Sequence, residues 1–388
     1  MKIVTTNISG ELRAMQPILG RGTDIQASHC FLFEADATNG VSITATNFIV
    51  GMKMKVFGQV MQPGKFVAPS EIAELLTNAE VATLEVNGSN SMKISVDDSF
   101  DGKLKGLPSE EYPSVPTMKR LEKGFELSVE AFEQLLGIAQ FSAKSSSGKV
   151  TEGLVLSWRE ASAKKKEFKI TAKAADGTIA AVTVVSGKGS STGEVLIPSS
   201  SVSTLQKFAS YVPDGEMIKV GLDKSALCVK TKDNQAWVTV MGGSYPDLSH
   251  MFKERPDMVG KLELGSLLAQ IKITYALARS AETQRALLTF SPHDIKIAVV
   301  SEERGSGTAQ VPCETNSQIT IEKGFSVPLL LTALEYTKRI VGDCEIQLGN
   351  YKTTGKPLFI KTKTKQGPVT ALVLPMVGGS KQETSKKT

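Results

Sequence analysis

Catalysis needs nucleophiles, general bases or metal ligands at workable spacing, and this chain of 388 residues offers few. Its three histidines, His29, His250 and His293, are scattered, and none sits in an HExxH or similar ligand pattern. The four cysteines, Cys30, Cys228, Cys313 and Cys344, form no CxxC pair. In a chain whose N-terminus carries no export signal, they are expected to be buried thiols and not disulfides or zinc ligands. No GxSxG elbow is present, and the acidic residues form no evident acid–base pair. The run Gly187-Lys188-Gly189-Ser190-Ser191-Thr192-Gly193 looks like a phosphate loop at a glance, but lacks the GxxxxGK[ST] order. Glu194-Val195-Leu196-Ile197 after it reads as a strand, so the run is expected to be a turn. These residues point away from catalysis, a metal or a cofactor. An enzyme would need a site assembled from distant segments.

Binding is the chemistry the residue types do support. Lysine and arginine along helical segments attract phosphates by charge and counterion release, without reading base sequence. Candidates are Arg13 and Arg21 in the first third of the chain, and Lys144, Lys149 and Lys207 in the second. Lys272, Arg279, Lys338 and Arg339 follow in the last. Such residues also make ordinary solvated helix faces. Lys164-Lys165-Lys166 is expected at an exposed hairpin tip. The net charge of +5 permits contact with nucleic acid without demanding it.

The elements that would position these residues repeat. An apolar strand ending in proline, then a helical pattern, occurs at Phe66-Val67-Ala68-Pro69, Val195-Leu196-Ile197-Pro198 and Phe325-Ser326-Val327-Pro328, a period near 130. Proline ends strand pairing and is tolerated in a helix's first turn. After each comes an alternating strand, a polar turn and a second alternating strand: TLEVNG with SMKISV, MIKVGL with ALCVKT, EIQLGN with PLFIKT. Alternation at period two marks half-buried antiparallel hairpins. Each block closes near another proline, at Tyr112-Pro113, Tyr245-Pro246 and Leu374-Pro375. Upstream, the helical patterns SGELRAMQPIL, SVEAFEQLLGIAQFSA and LGSLLAQIKITYALAR precede further strand pairs. Each block therefore reads as α+β, two helices covering one face of mostly antiparallel sheet. The expected division is three homologous domains, 1–122, 123–253 and 254–378, and a disordered polar tail, 379–388.

Composition agrees with a globular chain, 41% hydrophobic and 22% charged, long enough for two to four domains. No run approaches the roughly 18 apolar residues of a membrane helix. Without a signal peptide or membrane span, the expected location is the cytoplasm.

With its repeats in this order, the chain resembles the bacterial DNA polymerase III β subunits, the sliding clamps. The resemblance rests on Val41-Ser42-Ile43-Thr44-Ala45-Thr46-Asn47, Thr171-Ala172-Lys173-Ala174-Ala175-Asp176-Gly177, Gly243-Ser244-Tyr245-Pro246-Asp247 and Val373-Leu374-Pro375-Met376. It spans 1–378. It implies the DNA clamp fold and a head-to-tail homodimer ring of six domains, with helices lining a channel and sheets outside. It also implies sequence-independent encirclement of double-stranded DNA. DNA polymerase and clamp loader would dock short peptides into an apolar cleft. The matching cleft positions are Thr151, Ala175, Gly177, Ile179 and Ala180, then Pro246, His250 and Met251, then Leu372, Leu374, Pro375 and Met376. Dimer contacts are implied around Leu104, on an edge strand, and Leu277.

This sequence departs from the family pattern at the cleft. The family's Asp-Gly-His-Arg-Leu run reads Asp176-Gly177-Thr178-Ile179-Ala180, His250 stands where an Arg is common, and the chain continues past Met376. The expectation is a cleft with altered peptide preference. The competing reading is a repeat-built protein-interaction scaffold that forms no ring and does not slide on DNA.

Overall fold

Alternating patterns become antiparallel hairpins throughout. A computed structural model describes residues 1–376, except 21–24, 87, 89, 98, 117–123, 145–148, 163–166, 280–283 and 302–303. The first third contains β1 (Lys2–Thr6), α1 (Ser9–Met15), β2 (Cys30–Asp36), β3 (Gly40–Thr46), β4 (Val50–Val56), β5 (Gly58–Gln62), β6 (Gly64–Pro69), α2 (Ile72–Leu75), β7 (Val81–Val86), β8 (Ser91–Val96) and β9 (Phe100–Lys105). The second contains β10 (Gly124–Ser128), α3 (Val129–Gly137), β11 (Gly153–Ser162), β12 (Glu167–Ala175), β13 (Ile179–Gly189), β14 (Gly193–Pro198), α4 (Val202–Ala209), β15 (Met217–Asp223), β16 (Ala226–Lys230), β17 (Gln235–Thr239) and α5 (Ser249–Lys253). The last contains β18 (Met258–Glu263), α6 (Leu264–Ala278), β19 (Arg285–Phe290), β20 (Asp294–Ser301), β21 (Gly305–Pro312), β22 (Glu314–Thr315), β23 (Ile321–Ser326), α7 (Val327–Val341), β24 (Glu345–Asn350), β25 (Leu358–Lys363) and β26 (Pro368–Val373). Strand, helix, strands, helix and three strands thus recur three times.

The chain separates into two compact units. One is Met1–Leu136, Leu156–Ile170 and Ser186–Gly242; the other is Gly137–Val155, Thr171–Val185 and Gly243 to the C-terminus. In the first unit an antiparallel run β6-β2-β3-β4-β17-β16-β15-β10 lies beside a five-stranded sheet, β5-β1-β7-β8-β9. Its core is aromatic: Phe31, Phe33 and Phe66 are fully buried on paired strands. The second unit has the run β13-β26-β25-β24-β18 and a four-stranded sheet, β21-β20-β19-β23. Along β20, Ile295, Ile297 and Val299 are buried while their neighbours are not, as period two requires.

The prolines act as the sequence predicts at the three junctions. Pro69 and Pro198 end β6 and β14, and Pro328 lies in the first turn of α7. Two helices are shorter than expected. The SEIAELL pattern yields only the four residues of α2, and α3 stops at Gly137 before a tight turn at Ile138–Phe141. At Gly137 a Cβ would lie 2.7 Å from the Tyr336 ring, so the close approach of α7 requires glycine there. Tyr336 also meets Phe141 edge to face at 5.4 Å. Cys30, Cys228 and Cys313 are buried free thiols, while Cys344 is half-buried, a departure from the expected set. Burial pushes the first three up to about 11, 12 and 11, so they stay protonated and inert at neutral pH. Among the described residues no helix is long and apolar enough to cross a membrane, and no cluster of three metal-ligating side chains occurs. The 379–388 tail and Lys164-Lys165-Lys166 lie outside the described residues.

Candidate partner-binding site

A polar side chain shapes the turn from which the apolar cleft is built. Between β12 and β13, Asp176 Oδ1 accepts hydrogen bonds from the backbone N–H of Thr178 (2.7 Å) and Ile179 (2.8 Å). The Thr178 hydroxyl donates to the same oxygen at 2.7 Å. This Asx turn puts Gly177 at φ +98°, where a side chain would be strained. Beyond the turn, β13 pairs with the last strand, Ile179 opposite Val373 and Ala180 opposite Leu372. The Leu374 N–H continues the contact by donating to the Thr178 carbonyl at 2.9 Å.

Small residues on this frame leave a concavity of about 70 Å3. Ala175, Ala180 and Leu372 are buried over Phe359 and Tyr351, and Leu248, Met251 and Phe252 pack against them half-exposed. Leu374 and Thr178 complete the rim. The Tyr-Pro motif has a positioning role, because the Tyr245 hydroxyl accepts from the Ala175 N–H at 2.7 Å and so holds the segment leading to Leu248 and Met251. Such a small, apolar, open cleft can anchor one or two aliphatic side chains of a linear peptide. A methionine wall adapts to more than one of them.

Of the residues expected at this cleft, Ala175, Gly177, Ile179, Ala180, Met251, Leu372 and Leu374 come together. Thr151, Pro246, His250, Pro375 and Met376 do not line it. The Thr151 carbonyl instead accepts from the Ala143 N–H, and the Met376 N–H donates to Gly324. Pro246 and His250 are exposed. Leu248 and Thr178 were missed; Leu248 is an apolar residue in an otherwise polar stretch, which is the signal that could have found it.

The first third contains the same turn with a different outcome. Asn47 Oδ1 accepts from Ile49 and Val50 as Asp176 does from the matching pair, and Phe48, at φ +73°, takes a strained positive φ where Gly177 stands in the other turn. There β4 pairs with β17, Gly51 opposite Trp237. A Cβ on Gly51 would lie 2.0 Å from the indole, and Trp237 is buried. The tryptophan fills the place that Ala180 and Leu372 leave open.

The basic candidates are dispersed. Arg13 and Lys207 are exposed in the last turns of α1 and α4, with Lys207 lying 5.4 Å from the Tyr211 ring centre. Lys144 and Lys149 are exposed in loops, not on a helix as expected, because the helical pattern there ends at Phe141. Lys272 pairs with Glu335 at 2.8 Å and Lys338 with Asp343 at 3.1 Å, so two of the four candidates in the last third are answered within the chain. Arg279 caps α6, and exposed Arg339 stands over Tyr336. Arg21 lies outside the described residues.

Leu104 lies half-exposed on β9, an edge strand of its sheet. Phe100, on the same face, is exposed and folds over Gly102. Leu277 is half-exposed on α6 next to Gly307 of β21, itself an edge strand. Ile273, one turn before it, is 64% exposed, an apolar residue that its place in the helical pattern did not single out.

No family model and no curated protein matches the sequence. Solved structures match the fold along nearly its whole length. The DNA polymerase sliding clamp of Bacillus subtilis superposes with a TM-score of 0.85 at 18% identity, over 98% of this chain and 100% of that one. The DNA polymerase III β subunit of Thermotoga maritima gives 0.81 at 16% identity, covering 97% and 100%. The β sliding clamp of C. crescentus, with a polyethylene glycol at its β-motif tethering region, gives 0.83 at 17%, covering 97% and 99%. The architecture is the DNA clamp fold.

Proposed function

We propose that this chain is a sliding clamp, a non-catalytic processivity factor that encircles duplex DNA and tethers DNA polymerase and other replication or repair proteins. The observation that carries the reading is a clamp fold whose β13–β26 frame bears an open apolar cleft. Seven of the twelve residues that the family resemblance selected line that cleft. Partners, clamp loader included, would insert an aliphatic anchor of a short peptide there. Thr178, Ile179 and Ala180 in place of the usual basic and leucine side chains favour anchors that need no basic contact at the rim.

The division into domains 1–122, 123–253 and 254–378 belongs to the same proposal. So does a head-to-tail homodimer, which would close six domains into a ring. The edge strands β9 and β21 supply backbone groups for pairing between subunits, and covering them would protect both edges from aggregation. Phe100 and Leu104 on one side, with Ile273 and Leu277 on the other, would supply its apolar contact. Arg13, Lys207, Arg279 and Arg339 are the exposed cations best suited to phosphate contact, which must stay weak and sequence-independent for sliding.

Retention on DNA topology tests the proposal. Loaded protein should remain on nicked circular duplex and run off after linearisation. Equal retention on both forms would favour a scaffold that binds DNA without enclosing it.

A further inference from the structure

A second cleft, in the first unit and unrelated to the apolar one, has the chemistry of an anion-recognising groove. It holds about 520 Å3 between the linker Ser109–Pro116 and the β16–β17 turn at Lys230–Gln235. Lys53, Lys65, Lys230 and Lys232 line it against Glu34 and Asp233, leaving a net charge of +2. Both carboxylates are already engaged. Glu34 accepts from Lys53 and, at 2.7 Å, from Lys65, while Asp233 pairs with Lys55 at 3.1 Å. Burial alone would raise the Glu34 carboxyl, but the two lysine hydrogen bonds and their charges bring it below its ordinary value. It therefore remains ionised and holds Lys53 in the floor. Lys230 and Lys232 form no ion pair with any described residue, and Lys232 is exposed.

The opposite wall is a stiff, extended edge. Tyr112 has φ −76° and ψ 138° before Pro113, and its hydroxyl donates to the Thr44 carbonyl at 3.0 Å, which anchors one end. Val115 precedes Pro116, whose carbonyl accepts from the Gln235 side chain at 2.9 Å, which anchors the other. Residues before proline favour extended backbone. Between the anchors, the backbone N–H groups of Ser114 and Val115 find no acceptor among the described residues. Half-buried Val115 and the buried Leu32 give the cleft an apolar component.

We infer that this cleft binds an extended acidic peptide segment of a partner protein. The segment would lie along Ser114–Val115, take a backbone hydrogen bond from that edge, and place carboxylates on Lys230 and Lys232. Strand addition to a preorganised edge gives affinity, and charge selects the sequence. Nucleic acid fits less well, because the one aromatic ring among the described residues of the cleft, Tyr112, is buried and cannot stack a base.

The test uses the full chain and a fluorescein-labelled peptide, Glu-Glu-Val-Glu-Glu-Val, followed by anisotropy at moderate salt. Binding should weaken at least about tenfold, ~1.4 kcal/mol, in the double variant Lys230→Glu, Lys232→Glu. It should be unchanged in Lys361→Glu, Lys363→Glu, which alters net charge equally, and in Leu374→Asp, which damages only the apolar cleft. Amide exchange at Ser114 or Val115 should slow when the peptide is added. Equal loss in both lysine double variants would mean diffuse attraction and would overturn the inference. So would loss in Leu374→Asp, unchanged exchange at the linker, or binding of a labelled oligothymidylate in preference to the peptide.

Discussion

Lys323 is a buried lysine on the edge strand β23, only 5% exposed, with its ammonium donating to the Lys356 carbonyl at 3.0 Å. Burial lowers its pKa to about 8, against a smaller opposing pull from Asp257. An unfolded lysine titrates near ~10.4. Below pH 8 both states carry the proton. Between about 8 and 10.4 the unfolded chain holds more of it, so stability rises with pH across that window. Deprotonation there relieves a burial penalty of roughly 3 kcal/mol. Urea unfolding at several pH values should therefore show the parent gaining on Lys323→Met between pH 8 and 10. Parallel curves would mean that the ammonium is solvated in the native state. Gly51 gives a second expectation at this scale. With 2.0 Å between a new Cβ and the Trp237 ring, Gly51→Ala must displace a buried indole, at about 1–3 kcal/mol of stability. Trp237 fluorescence should report the displacement. Unchanged emission together with parental stability would show that the first-third site has slack.

The Tyr-Pro motifs show what hairpins and linkers add to such residues. Tyr245 and Tyr112 both bond backbone at the end of a third strand pair, Tyr245 to Ala175 and Tyr112 to Thr44, and each thereby fixes a linker. Tyr245→Phe removes both hydrogen bonds to Ala175 beneath the cleft wall, the one accepted from its N–H at 2.7 Å and the longer one donated to its carbonyl at 3.4 Å. The expected cost is about 1 kcal/mol of stability. A larger, several-fold loss of affinity is expected for an apolar-anchored peptide, since Met251 and Leu248 lose their fixed approach. Loss of stability with peptide affinity intact would separate the motif from the cleft. This level was also the most legible in the sequence. Period-two alternation and strand-ending prolines gave the hairpins, because they follow from backbone geometry that each segment carries by itself. Seven cleft residues followed from the family resemblance, and four of them, Ala175, Ile179, Ala180 and Leu372, lie on such strands. What stayed hidden depends on distant partners: Leu248 counts only because Ala180 and Leu372 lie beneath it. Trp237 closes the sister site only because β17 pairs with β4 at Gly51. Lys272 looked like a free cation until the pairing of α6 with α7 brought Glu335 to it.

At the scale of the whole molecule, the clamp reading requires that two copies close a ring, and the exposed apolar residues make that requirement testable. Phe100 on β9 and Ile273 on α6 are 43% and 64% exposed, each beside a half-exposed leucine and near an unpaired strand edge. Large apolar side chains at a free edge invite association. A closed ring needs two such surfaces on each chain, and each must meet the other surface on its partner, since a self-complementary contact at one of them would leave the other open. Sedimentation equilibrium at micromolar concentration should give twice 41.5 kDa. Leu104→Glu combined with Ile273→Asp buries a carboxylate on each side of both contacts and should return the mass to 41.5 kDa. At several kcal/mol per buried unpaired charge, the shift in dissociation constant should exceed about a thousandfold. The same variant should lose retention on nicked circular DNA while keeping its affinity for a cleft-directed peptide, because β13 and β26 lie outside both contacts. A variant that stays dimeric would move the interface to another surface. One that becomes monomeric and is still retained on circles would leave the clamp fold in place but remove enclosure as the source of its hold on DNA.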